Sequence, residues 1–119
     1  MNDSPPRILV VDDNLDLADT LALQLQHSGH PALARGSVRD ALDALDEDPS
    51  IRLVITDIRM PEVDGLDFRR VLKHRFPALP VVLMTGLPLT EEDMVPPQIQ
   101  VLQKPFSLDV LLRAVAKIG

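Results

Sequence analysis

The sequence predicts an α/β domain built on a doubly wound, five-stranded parallel sheet with strand order 2-1-3-4-5. Short, continuously apolar runs alternate with amphipathic helical patterns along the chain, and this alternation favours parallel strands covered on both faces. Its 119 residues fit one domain. We therefore expect a single domain over residues 1–119, with residues 1–6 disordered.

Short, largely apolar stretches mark the five strands, and only the fifth is interrupted by a polar residue, Gln100. The predicted strands are Ile8–Val11, Ala32–Ala34, Leu53–Thr56, Val81–Met84 and Ile99–Leu102. The second run is the shortest, and it carries the least β-branched character.

Helical spacing of apolar residues follows the first, second, third and fifth strands. The first helix is expected over Asn14 to Ser28, with Gly29 ending it. "SVRD" from Ser37 resembles a capping box before the second. The residues expected on the apolar faces are Leu17, Leu21 and Leu25; Val38, Ala41, Leu42 and Leu45; Phe68, Val71 and Leu72; and Leu108, Leu111, Leu112 and Val115.

The segment between the fourth and fifth strands departs from this pattern. Pro88, Pro96 and Pro97 remove backbone donors there. Only Thr90 to Val95 is free of proline for long enough to form a helix, of little more than one turn. The fourth helix is therefore expected to be shortened or disordered.

Composition excludes several classes of function. The chain has no cysteine, which rules out disulfides, thiolate metal sites and a cysteine nucleophile. Its formal net charge of −6 disfavours direct binding of nucleic acid. No apolar run reaches the length of a membrane span, and the N-terminus lacks the order of a signal peptide. We expect a cytoplasmic protein that binds no membrane.

Carboxylate, hydroxyl or amino side chains follow four of the predicted strands, whereas strand two is followed by Arg35 and Gly36. In open parallel sheets, ligands bind beyond the carboxyl ends of the strands. Strand one is followed by Asp12 and Asp13, and strand three by Asp57. In the 2-1-3-4-5 order these carboxylates converge, and at about 4 Å each charged pair costs about 4 kcal/mol at an effective dielectric of about 20. A hard divalent cation offsets that repulsion, which indicates an Mg²⁺ site.

Thr85 and Lys104 follow the fourth and fifth strands and complete a phosphoryl-transfer site. A carboxylate is an effective nucleophile in phosphoryl transfer and gives an aspartyl phosphate. Mg²⁺ and Lys104 would neutralise the added charge, and the Thr85 hydroxyl would bond an oxygen. Asp57 is therefore the predicted phosphoacceptor. The simpler alternative is that Asp12 or Asp13 only caps the first helix.

The motifs "VVDDN", "ITDIRMPEVDG", "LMTG" and "QKPF", in this order, make the chain resemble a bacterial two-component response-regulator receiver domain with a flavodoxin-like fold. The resemblance implies phosphoryl transfer from a sensor histidine kinase to Asp57, with Mg²⁺. It also implies metal ligation by Asp13, Asp57 and the Arg59 backbone carbonyl, with Asp12 acting largely through bound water. The resemblance further implies a cis peptide before Pro105. It also implies a switch rather than an enzyme, with the capacity to catalyse its own phosphorylation and dephosphorylation.

"DIRMPEVDGL" and "LPVVLMTG" look most similar to receivers of activators that work with the alternative sigma factor, including C4-dicarboxylate transport regulators. This resemblance implies a transcriptional output domain outside this chain and a phosphorylation-dependent homodimer. The stretch "VLQKPFSLDVLLRAV" also resembles receivers of hybrid sensor kinases, and a stand-alone receiver is a further alternative.

One position departs from the family pattern. Receivers usually carry an aromatic residue three positions before the lysine, and here that position is Val101. We therefore expect phosphorylation to be signalled through movement of the loop at Thr85 and Gly86 and of the segment from Leu87 to Gln98, rather than through a side-chain flip at Val101.

Two alternatives from other classes are weaker. A phosphohydrolase of the haloacid dehalogenase type has a general-acid aspartate two residues after its nucleophile, where this chain has Arg59. A flavin-binding module needs a phosphate-binding loop after strand one, whereas "VVDDN" repels phosphate unless a metal is bound.

Overall fold

The computed structural model describes residues 6–58, 65–86 and 100–118. Five strands form one parallel sheet in the order β2-β1-β3-β4-β5, which confirms the predicted fold class and strand order. The strands are β1 (Arg7–Val11), β2 (Ala32–Arg35), β3 (Ile51–Asp57), β4 (Val81–Thr85) and β5 (Gln100–Gln103). The helices are α1 (Leu15–His27), α2 (Val38–Glu47), α3 (Gly65–Arg75) and α4 (Leu108–Ile118).

The core lies in two layers, one on each face of the sheet. One layer packs α1 and α4 against residues such as Val10 and Ile55. The other packs α2 and α3 against Leu9 and Val54. Neighbouring residues of one strand thus enter opposite layers, as the pleat requires, and the buried runs are continuously apolar for that reason.

The ends of α1 and α2 are fixed by local hydrogen bonds. Asn14 caps α1, its side chain accepting a hydrogen bond from the Leu17 amide at 3.2 Å. Ser37 caps α2 as predicted, accepting from the Asp40 amide at 3.1 Å. At the other end of α1, Gly29 adopts a φ of 92°, a left-handed conformation that costs glycine little and lets the chain turn sharply into β2.

Several predicted boundaries and faces are wrong in detail. The first helix begins at Leu15, because Asn14 is its cap. Strand β3 begins at Ile51, two residues before the prediction, because Arg52 interrupts the apolar run. The pairing with β1 shifts register at this point, with Arg7 opposite Ile51 and Ile8 opposite Leu53. Val71 and Leu108, expected on apolar faces, are 38% and 37% exposed.

Some predictions lie outside the described residues. The short fourth helix falls within residues 87–99, and the expected disorder at the N-terminus concerns residues 1–6, of which only Pro6 is described. Among the helices of the described ranges, none is long and apolar enough to cross a membrane.

Candidate functional site

The carboxyl ends of β1, β3 and β4 meet at one edge of the sheet because of their register. Val11 pairs with Thr56, and Asp57 pairs with Met84. The Ile58 amide continues the ladder by donating to the Met84 carbonyl at 2.8 Å. The residues that follow these strands are therefore neighbours, as the sequence predicts.

Asp12, Asp13 and Asp57 form a cluster at this edge, in which one oxygen from each carboxylate lies within 4.8 Å of the others. Asp12 is 1% exposed and Asp57 is 9% exposed, whereas Asp13 faces solvent. Oxygen donors in this arrangement, open on the side of Asp13, suit a hard cation that keeps part of its water shell. The donor set therefore fits Mg²⁺.

Lys104 binds the two more buried carboxylates of the cluster. Its Nζ lies 2.7 Å from Asp12 Oδ2 and 3.1 Å from Asp57 Oδ2. Burial lowers the pKa of Lys104, but the hydrogen bonds and charges of Asp12 and Asp57 outweigh this effect, so that its pKa is raised overall. The side chain therefore remains an ammonium group and offsets part of the negative charge.

The pKa of Asp13 is raised above its usual value of 3.8. Desolvation contributes most, followed by a side-chain hydrogen bond with Asp12 and by the charges of Asp12 and Asp57. Three carboxylates with one ammonium group leave an excess of negative charge, which adds to the effect of desolvation on the pKa of Asp13. A divalent cation would balance that excess.

The position of Asp12 is fixed through both of its oxygens. Oδ1 accepts a hydrogen bond from the Asn14 amide at 2.9 Å, and Oδ2 pairs with Lys104. Asp12 therefore stabilises the turn that leads into α1. The helix itself is capped by Asn14. The sequence analysis missed Asn14 as the cap, although asparagine is among the preferred N-cap residues.

Thr85 and Lys104 are joined through the backbone. Thr85, which is 3% exposed, ends β4. Its carbonyl accepts a hydrogen bond of 2.6 Å from the Lys104 amide. The Lys104–Pro105 peptide bond is cis, as the resemblance implies.

The remaining predicted residues lie at different distances from the cluster along their strands. Gly86 follows Thr85 directly at the carboxyl edge of the sheet. Val101 lies further from this edge, half-buried and paired with Leu83 in the ladder. Arg59, whose carbonyl is a predicted metal ligand, falls outside the described residues.

Comparison with curated proteins places this site in a known context. The family described as "Response regulator receiver domain" matches residues 8–116. The C4-dicarboxylate transport transcriptional regulatory protein DctD of Rhizobium meliloti (strain 1021) is 31% identical over 112 residues, which cover 92% of this chain and 24% of that protein. The response regulator receiver protein CpdR of Brucella abortus (strain 2308) is 31% identical over 115 residues, 94% of this chain and 95% of that protein. The chain thus spans about a quarter of the length of DctD and nearly all of CpdR.

Solved structures show the same relationship. A response regulator receiver protein from Pseudomonas putida superposes with a TM-score of 0.87 at 32% identity, covering 98% of this chain and 99% of that one. The response regulator protein TrrA from Thermotoga maritima, solved in complex with Mg²⁺-BeF, has a TM-score of 0.84 at 27% identity and covers 96% of this chain and 99% of that one. The matched sequence, the strand order and the carboxylate cluster agree, and the chain belongs to the response regulator receiver domain family.

Proposed function

We propose that this receiver domain is a signalling switch in which Asp57 accepts a phosphoryl group from a sensor histidine kinase. The observation that carries the proposal is the position of Asp57 at the end of a central strand. There its carboxylate lies beside two further carboxylates and 3.1 Å from the ammonium of Lys104. The family match sets aside the phosphohydrolase and flavin-binding alternatives.

The reaction would proceed by attack of an Asp57 carboxylate oxygen on phosphorus. The new O–P bond forms as the N–P bond of the phosphohistidine breaks, and the histidine nitrogen takes the bonding pair. Lys104, already within hydrogen-bonding distance of Asp57, would stay with the phosphoryl oxygens and offset their charge. The Thr85 hydroxyl would bond one of these oxygens.

Asp12, Asp13 and Asp57 would hold Mg²⁺, with Arg59 contributing its backbone carbonyl and Asp12 acting largely through bound water. The bound ion supplies positive charge that offsets repulsion between the carboxylates and the incoming phosphoryl group. The clustered oxygen donors support this assignment, as does the Mg²⁺-BeF complex of the similar protein TrrA.

Mass spectrometry after incubation with acetyl phosphate and Mg²⁺ tests the phosphoacceptor. One phosphoryl group should be added to the natural chain and none to Asp57→Asn. Asp48→Asn is the matched control, because it makes the same change at the opposite edge of the sheet and should leave labelling intact. Labelling of Asp57→Asn at the natural level would refute the assignment.

The signal would leave the site through Thr85 and Gly86. The Thr85 carbonyl accepts a hydrogen bond from the Lys104 amide. A shift of the loop at Thr85 and Gly86 would therefore move the backbone at the end of β5. Val101 has no aromatic ring to rotate. Hydrogen exchange with and without beryllofluoride should change most from Thr85 onward, between β4 and β5. Exchange that changes only within β5 would refute this route.

The output of the switch is proposed from the relatives. Similarity to DctD supports a transcriptional output domain outside this chain, while a stand-alone role is the alternative because CpdR is matched over 95% of its length. In either case the domain would act in the cytoplasm as a signalling module rather than a classical enzyme. Phosphorylation would also promote formation of a homodimer. Fusing the chain to the DctD output domain and measuring transcription tests the first assignment.

A further inference from the structure

An apolar cavity of about 520 Å³ opens at the amino-terminal edge of the sheet, opposite the carboxylate cluster. Leu45 at the end of α2 and Ile51 at the start of β3 line it, and they are only 6% and 8% exposed. Phe76 and Leu79, which follow α3, add partly buried apolar surface. This volume lies within the range of about 300–1,000 Å³ that is common for small-molecule sites.

Two charged side chains, Asp48 and Arg52, line this cavity, and the charge of Asp48 is already satisfied. Asp48 Oδ1 accepts hydrogen bonds from the amide and hydroxyl of Ser50 at 2.9 and 2.5 Å. Its Oδ2 pairs with Arg7 Nη1 at 3.4 Å. An incoming cation would therefore have to compete with these partners for Asp48.

Arg52 differs from Asp48, since its guanidinium makes no ion pair with any carboxylate of the described residues. Arg75, which precedes the cavity-lining Phe76 in the chain, is already engaged: it pairs with Asp46 at 2.7 Å and lies 5.3 Å from the centroid of the Phe76 ring. The unmatched charge at the cavity is therefore positive. A guanidinium presents paired N–H donors that suit a carboxylate in a bidentate arrangement.

We propose that this cavity binds a small amphipathic carboxylate. The apolar body of the ligand would cover Leu45, Ile51 and Phe76, and its carboxylate would pair with Arg52. The site is independent of Asp57, which ends β3 at the opposite edge of the sheet. The bound ligand would contact the end of α2, the start of β3 and the segment after α3, which meet at this edge.

Titration of the ¹⁵N-labelled chain with 3-phenylpropionate in metal-free buffer tests the site. The matched neutral probe is 3-phenylpropanamide, which has the same aromatic body without the charge. Saturable shifts are expected at the amides of Ile51, Arg52, Phe76 and Leu79, with the carboxylate binding roughly fivefold tighter than the amide, as for a partly exposed ion pair. Equal affinities for the two probes, or shifts that are confined to the opposite edge of the sheet, would overturn the proposal.

Variants at Arg52 separate its charge from the shape of the cavity. Arg52→Gln should remove the preference for the carboxylate while leaving the amide bound as before. Arg52→Lys keeps the charge and should retain part of the preference, so the test stands even if the glutamine variant folds poorly. Arg39→Gln, the same change at an exposed position in the first turn of α2, should have no effect. An undiminished preference in Arg52→Gln, judged on spectra of the folded state, would exclude Arg52 as the anion contact.

Discussion

The two edges of the sheet treat their carboxylates differently. At the amino-terminal edge, Asp48 is satisfied by Ser50 in its own turn and by Arg7 of β1, and the hydrogen bonds from Ser50 are the main reason that its pKa is lowered. At the carboxyl edge, Asp12 and Asp57 share Lys104, and the pKa of Asp13 is raised.

This difference separates a stabilising role from a functional one. A carboxylate with a lowered pKa is more stable ionised in the folded chain than in the unfolded chain, and it therefore favours folding at neutral pH. A carboxylate with a raised pKa opposes folding at the same pH. The carboxyl edge thus retains an electrostatic cost at Asp13 that a bound cation would relieve, and the amino-terminal edge retains no such cost at Asp48.

Binding of Mg²⁺ should produce the largest change in stability. An ion that binds only the folded chain adds about 2.7 kcal/mol to the free energy of unfolding at a hundredfold excess over its Kd. Thermal unfolding across a series of Mg²⁺ concentrations measures the effect. Asp13→Ala should remove this dependence and Asp48→Ala should retain it. An unchanged melting temperature at every Mg²⁺ concentration would contradict the metal site.

Lys104→Met should be the next largest change, measured by urea unfolding without metal. Asp12, only 1% exposed, loses its partner at 2.7 Å, and an unpaired buried charge commonly costs 3–5 kcal/mol. Because the Lys104 side chain is 21% exposed, we expect a smaller loss of about 2 kcal/mol. Lys117→Met, in the exposed last turn of α4, is the control. Equal losses in the two variants would argue against a stabilising pair.

Asp48→Ala should cost about 1 kcal/mol, the usual net value of side-chain hydrogen bonds of this kind. The variant loses both bonds to Ser50 and the long ion pair with Arg7. Asp43→Ala, an exposed change on the same helix, is the comparison. Urea unfolding at neutral pH measures both variants, and a loss no greater than that of Asp43→Ala would mean that the turn does not depend on Asp48.

The smallest effects should appear in the pH dependence of stability, with opposite signs at the two edges. The stabilisation from Asp48 is present above its usual pKa of 3.8 and is lost as pH falls through the lower pKa of the folded state. The penalty from Asp13 is present above its raised pKa and is relieved as pH falls from there through 3.8. Compared with the natural chain in metal-free buffer, Asp48→Asn should therefore lose less stability on acidification, and Asp13→Asn should lose more. If both variants lost more stability on acidification than the natural chain, or both lost less, the predicted difference between the two edges would be wrong.

The sequence predicts the strand order and the converging carboxylates because both depend on short-range patterns. A buried run such as Val81–Met84 is visible in the sequence, and a polar residue after a parallel strand must lie at the carboxyl edge. Helical spacing does not determine how deeply a residue at the border of an apolar face is buried. Val71 fits the helical spacing but lies at the border of the buried face of α3, where it is 38% exposed.

Two features of the molecule depend on long-range geometry and cannot be inferred from local patterns. The sequence analysis expected Lys104 to flank the site, but the closer approach to Asp12 than to Asp57 depends on how far one flexible side chain reaches between two strands. The apolar cavity is formed where three separate segments end. In the sequence, the apolar residues that each segment contributes look the same as residues of the hydrophobic core.

The hydrogen bond between Lys104 and Asp12 joins residues 92 positions apart. Contacts of this span form late, because the loop they close costs entropy before any local gain repays it. A chain that emerges from the ribosome without β5 would carry Asp12, Asp13 and Asp57 but lack the ammonium group that offsets part of their charge. If Asp57 accepts a phosphoryl group as proposed, a complete site would then exist only after the last strand docks.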